Sequence, residues 1–488
     1  MIQMRINQLI QYGLDNQLLN LDDSFYATNK LLDIFKIKDF SSKSVESIDY
    51  NVLMNDLIAY ALEKSIIEKD TLFERDAFEA RLIDCLLPRP SELNRMFRLK
   101  YKKSPQQATF FYHEFSKNSR FIKLDRIDQN IKYNYPGKYG DLDITLNLSR
   151  PEKASIDFTN LSIEEDQYPL CPLCMENIGM YQNALMEPRM NHRPISITVN
   201  NEKDQWAMFY SPYAYFNEHL VVFRKEHIKM YMNDQAFEEM VDFVNKFPHY
   251  FIGLNSGLPI VGGSILSHHH FQAGRYDFPI EKARVVKKYK VNRVSIEVLD
   301  WPVATIRLIG NNENRLLDTV HYIYENWKKY HNESLKIFSE TSQVHQSITP
   351  FVKLDGLKFN FYMVFRNNFT NDDLPHGLFH PSPEKFHIKK ENIGLFEVMG
   401  MAILPGRLVE EIELIKDVLL KNKSLNDYSQ LDKHADWIKE MMSKSLPDNL
   451  DEYIKMEIGR IFEQMLEDVN VFKYGDQKDF ISFVEKAI

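Results

Sequence analysis

Cysteine is scarce in this 488-residue chain, with Cys85, Cys171 and Cys174 the three present. So few thiols, in odd number, exclude a disulfide framework and suit a reducing compartment. No run of eighteen consecutive apolar residues occurs, so no membrane span is expected. Met1 to Leu14 carry an early Arg5 and no apolar run of signal-peptide length, which makes the expected location cytoplasmic. A surplus of positive charge is also missing. Lys and Arg number 60 against 69 Asp and Glu, a net charge of −9, which argues against broad nucleic-acid or anionic-membrane binding. Single anion sites stay open. Low-complexity tracts and short repeats are absent as well.

The length allows two or three domains with ample core. With 33 Phe and 25 Tyr, large cores or ring-lined pockets follow. Residues 1 to about 125 are helical in pattern: Ile6, Leu9, Ile10 and Leu14 recur at three and four, as do Leu53, Leu57, Ile58 and Leu62. Thr71 with Glu74, and Ser104 before Pro105, are helix-start signals. Cys85 falls on the apolar stripe of Phe78, Leu82, Ile83 and Leu86 and reads as a core thiol. Arg95 to Lys138 is locally basic and reads as a solvated face. Residues 151–169 look like a linker.

From Cys171 the texture changes. Ile195/Ile197/Val199, Trp206 to Tyr210 and His219 to Phe223 read as strands, and Phe237, Met240, Val241 and Val244 as a helix. Further strands are expected at Val294/Ile296/Val298 and Phe359–Phe365. Helices are expected around Leu316–Trp327, Gly394–Leu404 and after Asp451. Without regular βαβ alternation the fold class is α+β, with mainly antiparallel sheets.

The most informative stretch is Gly262-Gly263-Ser264 followed by His268-His269-His270-Phe271-Gln272. On a strand, His268, His270 and Gln272 share one face, and His269 and Phe271 turn away. Two imidazoles and an amide beside a glycine turn can hold and attack a phosphate. Clustered histidines can equally be metal ligands or polar surface. Cys171-Pro172-Leu173-Cys174 has the spacing that brings two sulfurs to one metal ion, with zinc, redox chemistry and packed thiols as the alternatives. No second pair follows nearby, so any remaining ligands come from far along the chain, with His227 and His268 the candidates. Arg193 is a candidate phosphate clamp, weighed against an ordinary surface arginine. His249, His345, His376, His380 and His387 read as hydrogen-bonded loop histidines, with a second metal or sugar site at the last three as the alternative.

Together, Cys-x-x-Cys, Arg224-Lys225-Glu226-His227 and Gly-Gly-Ser…His-x-His-x-Gln resemble galactose-1-phosphate uridylyltransferase of the histidine-triad superfamily, in its long bacterial (type 2) form. Supporting segments are Asn191-His192-Arg193, Tyr210-Ser211-Pro212-Tyr213, Phe247 to Gly253 and Ile388 to Gly394. The resemblance implies His270 as nucleophile, with Gln272 bonding the phosphoryl group. Cys171, Cys174, His227 and His268 would be ligands of a structural zinc. Asn255, Gly263 and Ser264 would grip the nucleotide phosphates, and Glu397 the sugar. It also implies two histidine-triad-like halves, 161–290 and 291–488, behind a helical extension and linker at 1–160, and a homodimer.

The expected reaction is uridylyl transfer from UDP-glucose to galactose 1-phosphate by a ping-pong route, with no nucleic-acid or membrane partner. Imidazole is largely neutral at pH 7 and can attack phosphorus without a separate base. A carbonyl accepting from its other nitrogen would fix the tautomer. Histidine-triad hydrolases carry a third histidine where Gln272 stands. An amide cannot shuttle a proton, which suits transfer between phosphates better than hydrolysis. Two alternatives remain: another nucleotidyl transferase or hydrolase of this superfamily acting on dinucleoside polyphosphates, and a non-enzymatic zinc-stabilised interaction module.

Overall fold

A computed structural model describes residues 1–149, 168–181, 188–263 and 265–488. The linker expected at 151–169 falls almost wholly outside the described residues. Helical periodicity before residue 125 is realised as Ile2–Asp15, Ser24–Ile34, Tyr50–Glu63, Leu72–Asp84, Pro90–Tyr101 and Pro105–Asn118. Thr71 Oγ1 accepts from the Glu74 N–H at 3.3 Å, and Ser104 Oγ from the Gln107 N–H at 3.4 Å, so both starts are side-chain capped. Cys85 is buried, and burial pushes its thiol up to about 11, which leaves it inert. The basic stretch is not uniformly solvated. Lys123 lies 2.7 Å and Arg120 3.6 Å from the buried Glu79, both largely enclosed, because a buried carboxylate needs cationic partners.

The described strands are β1 (Ile131–Gly137), β2 (Gly140–Asn147), β3 (Ile195–Val199), β4 (Glu202–Tyr210), β5 (Leu220–Arg224), β6 (Phe251–Gly253), β7 (His270–Gly274), β8 (Val285–Val291), β9 (Val294–Leu299), β10 (Thr305–Gly310), β11 (Gln346–Asp355), β12 (Lys358–Asn367) and β13 (Met401–Pro405). Contacts gather the chain into two compact units. One comprises Met1–Leu124, Asn160–Ala214 and Leu220–Ile228. In it the helices accompany an antiparallel β3-β4-β5 meander, registered Ile195↔Met208 and Tyr210↔Leu220.

The other unit comprises Asp125–Thr159, Tyr215–His219 and Lys229–Ile488. Its strands run in the order β7-β6-β11-β12-β10-β9-β8, each neighbour antiparallel. A smaller sheet orders β1-β2-β13, with β13 parallel to β2. Helices Asp234–Lys246, Glu313–Lys329 and Leu450–Asp468 belong here, the first two capped by Asn233 and Asn312. The chain is thus α+β with mainly antiparallel sheets. Phe251, Phe278, Phe351, Phe396, Trp301 and Met399 lie in its large apolar cluster.

Two expected elements are corrected. The helix expected over Gly394–Leu404 is one turn, Leu395–Val398, followed by β13. Gly400 stops it at φ +98, in a position where a Cβ would come 2.7 Å from the Pro279 Cβ. The histidine strand begins only at His270, so His268 precedes it and the period-two alternation covers His270 to Gln272 alone.

Candidate active site and metal cluster

β7 is held by β6 in the register Gly253↔Gln272, Ile252↔Ala273 and Phe251↔Gly274. The register requires Gly253, because a Cβ there would stand 2.8 Å from Leu395 Cδ2 and 2.9 Å from Phe351 Cβ. On this support His270 is buried, and its Nδ1–H donates to the His268 carbonyl at 2.8 Å. That carbonyl fixes the tautomer and leaves the Nε2 lone pair for chemistry. Burial pushes the His270 pKa down to about 4, so the ring is neutral at pH 7. Gln272 follows two residues on, and its Oε1 lies 2.8 Å from His219 Nε2.

His269 lies just before the strand, and it contacts Tyr231 and Glu239. It is fully buried, stacked on Tyr231 at 3.6 Å between centroids, with Nε2 3.4 Å from Glu239 Oε2. This neighbour therefore braces the strand and does not face the candidate nucleophile's chemistry.

Cys171, Cys174, His227 and His268 each offer one ligand atom, and these atoms all lie within 4.8 Å of one another. The sulfurs are 3.6 Å apart, and Cys174 Sγ is 3.1 Å from His227 Nδ1. The knuckle itself is well built. Asn177 Nδ2 donates to the carbonyls of Cys171 and Cys174 at 2.8 and 2.9 Å, and the Leu173 N–H points at Cys171 Sγ at 3.4 Å. The Cys171 pKa is raised, first by the adjoining Cys174 thiol and then by burial. Two buried sulfurs so close cannot both ionise without a cation between them. Thiolate and imidazole donors in this number fit a tetrahedral divalent ion.

The glycine turn packs on Asn255. A Cβ on Gly263 would lie 3.1 Å from Asn255 Nδ2, while Asn255 Oδ1 accepts from the Leu395 N–H at 2.9 Å. Ser264 lies outside the described residues. Glu397 is buried on the short helix Leu395–Val398, where it accepts from the Gly394 N–H at 3.1 Å and pairs with Lys389 at 3.3 Å. The fully buried Arg366 adds a second cation near it.

Arg193 is placed otherwise than a phosphate clamp requires. Its guanidinium donates to Asp84 at 2.6 Å and to the carbonyls of Pro88, Met190 and His192 at 3.0, 2.7 and 3.1 Å. With its fork occupied by the protein, the side chain ties the Leu72–Asp84 helix to the segment before β3.

Of the other loop histidines, His376 is exposed, His249 and His387 are half-buried, and His345 and His380 are buried. His345 is buried between Thr341 and Asn368, and His387 Nδ1 lies 2.7 Å from His434 Nδ1. His380 meets Asn392 and the Pro381 carbonyl. Among the described residues, these do not gather into a second metal-binding group. The sequence marks His219 only as the start of a strand. No spacing rule links it to Gln272, because their contact arises from the fold.

The galactose-1-phosphate uridyl transferase family models match this chain twice, the N-terminal domain over residues 17–229 and the C-terminal domain over 239–438. The chain belongs to the galactose-1-phosphate uridylyltransferase family. The uridylyltransferase of Clostridium acetobutylicum is 40% identical over 484 residues, 97% of each chain. That of Lactococcus lactis subsp. lactis is 38% identical over 496 residues, 99% of each. The crystal structure of yeast Ap4A phosphorylase Apa2 in complex with Ap4A is 12% identical with a TM-score of 0.36, covering 68% of this chain and 96% of that one. So weak a likeness carries no argument about function. No helix among the described residues is long and apolar enough to cross a membrane.

Proposed function

We propose that this member of the family transfers a uridylyl group from UDP-glucose to galactose 1-phosphate, through a covalent uridylyl–His270 intermediate. The observation that carries this reading is the state of His270: buried, neutral, tied at Nδ1 and open at Nε2. In the first half-reaction Nε2 forms a bond to the α-phosphorus and the bond to the bridging oxygen breaks. Glucose 1-phosphate departs with that electron pair. In the second, a phosphate oxygen of galactose 1-phosphate attacks the same phosphorus, the P–N bond breaks, and UDP-galactose leaves with His270 restored.

Gln272 would donate an amide hydrogen to a phosphoryl oxygen as charge develops there. Asn255, Gly263 and Ser264 are proposed to grip the nucleotide phosphates. Glu397 would face the hexose with its charge balanced by Lys389 and Arg366. Cys171, Cys174, His227 and His268 are proposed to hold zinc, which would fasten the strand carrying His270 without entering the chemistry. A homodimer in the cytoplasm and two histidine-triad-like halves complete the reading; they follow from the family resemblance.

The deciding experiment is the intact mass of the protein after brief mixing with UDP-glucose and no acceptor. The expected result is one uridylyl group per active chain, mapped to His270, removed by galactose 1-phosphate and absent from His270→Ala. Adduct formation by His270→Ala at the wild-type rate would refute the assignment.

A further inference from the structure

We propose that His219 is a positioning residue for the transfer: its Nε2–H holds the Gln272 carbonyl so that the amide NH2 faces the phosphoryl group at His270. The proposal rests on the reading of His270 and Gln272 given above. A primary amide is nearly symmetric in shape, so packing alone barely distinguishes its two orientations. They differ greatly in effect. The NH2 end stabilises a phosphoryl oxygen, and the carbonyl end repels it. Something must choose between them before substrate arrives.

The geometry around His219 makes that choice. The Tyr215 backbone N–H lies 3.5 Å from His219 Nδ1 and can only donate, so Nδ1 accepts. The ring hydrogen is then on Nε2, 2.8 Å from Gln272 Oε1. A donor there selects the carbonyl end of the amide. Among the described residues the Gln272 Nε2 has no hydrogen-bond partner, so its hydrogens remain for a ligand. The imidazole is itself locked: it is buried, stacked on Tyr215 at 5.1 Å and 25°, with Phe396 edge-on at 5.1 Å. Burial also pushes its pKa down to about 4, so it stays a single donor at neutral pH.

A histidine that merely fills space would be replaceable by phenylalanine. The test is therefore a double-mutant cycle on His219→Phe and Gln272→Ala, read as the single-turnover rate of uridylyl-enzyme formation from UDP-glucose. His219→Phe is expected to slow that step roughly ten- to a hundredfold, with a smaller change in KM. In the Gln272→Ala background the same substitution should cost almost nothing, because the group it acts through is gone. His219→Gln, which can still donate to Oε1, should recover part of the rate. Full, additive slowing in both backgrounds, or no slowing at all, would overturn the proposal.

Nitrogen-15 shifts of the histidine rings give a second readout that does not depend on the Phe variant folding, with His219→Gln used for assignment. The expected form is Nε2–H, and finding Nδ1–H would overturn the inference. Wild-type protein that forms no adduct would instead overturn the transferase reading itself, and this inference with it.

Discussion

Replacing Arg193 with alanine separates two roles that a sequence motif cannot. In the structure the guanidinium meets Asp84 and three carbonyls, so truncation leaves one carboxylate and three acceptors without their donor. Breaking a buried ion pair by removing one partner costs about 3–5 kcal/mol. Here the Asp84 side chain keeps 19% exposure, and Lys30 stands 3.7 Å from its other oxygen. Both soften the loss, so about 3 kcal/mol is expected. Arg193→Lys should cost roughly half as much, because a lysine keeps the charge near Asp84 but not the planar fork that serves the carbonyls. The assay is the urea midpoint of each variant, with kcat and KM for UDP-glucose measured well below the melting temperature. Kinetic constants close to wild type, beside a lowered midpoint, are expected. An unchanged midpoint with KM for UDP-glucose raised tenfold or more would return Arg193 to the phosphate and refute this reasoning.

Other perturbations have equally definite outcomes. Cys174→Ala should strip the bound metal and lower the melting temperature of the purified protein, since binding energy at such a site is folding energy; unchanged zinc content and melting would refute the cluster's role. Acid should destabilise the fold before carboxylates titrate. Burial holds His219, His249 and His387 down to about 4 in the folded state, against an ordinary 6.5. The unfolded chain binds these protons first, so their stabilising contribution is full above 6.5, falls as pH drops from 6.5 towards 4, and then levels. For the buried His219 alone that is about 2 kcal/mol between pH 6.5 and 5, and a flat urea midpoint over that window would contradict it. Gly400→Ala forces φ +98 on a side chain and drives its Cβ to 2.7 Å from Pro279, so a loss of about 1–3 kcal/mol is expected by urea unfolding.

Much of the fold was legible because local signals and burial agree. Thr71 and Ser104 cap where their spacing says, and Ile195 to Val199 alternates as a half-buried strand should, while Val294 to Leu299 forms the expected strand but is buried on both faces from Ile296 on. The failure at Gly394–Leu404 is instructive. Leu395, Phe396, Val398 and Met399 repeat like a helix, but Gly400 takes φ +98, which no right-handed helix continues, and its missing Cβ leaves room for Pro279, 121 positions away in the chain. Periodicity reports what a segment can bury; it cannot report what stands against it.

The same distinction divides the candidate site. Thiol spacing and the His-x-His-x-Gln run name chemistries because residue type and local geometry suffice for them. What those residues are set to do depends on partners that sequence does not place. The His268 carbonyl determines which nitrogen of His270 is open, and His219 determines which end of the Gln272 amide accepts. Arg193 makes the converse case. It has the residue type of a phosphate clamp and sits in a matching segment, yet its fork closes on Asp84 and three carbonyls. A guanidinium so engaged would have to break several charge-assisted bonds before reaching a ligand, which at about 1.5–3 kcal/mol each outweighs what one phosphate contact returns. Whether an arginine beside a functional motif belongs to the substrate or to the scaffold is therefore decided by where its five N–H groups already point.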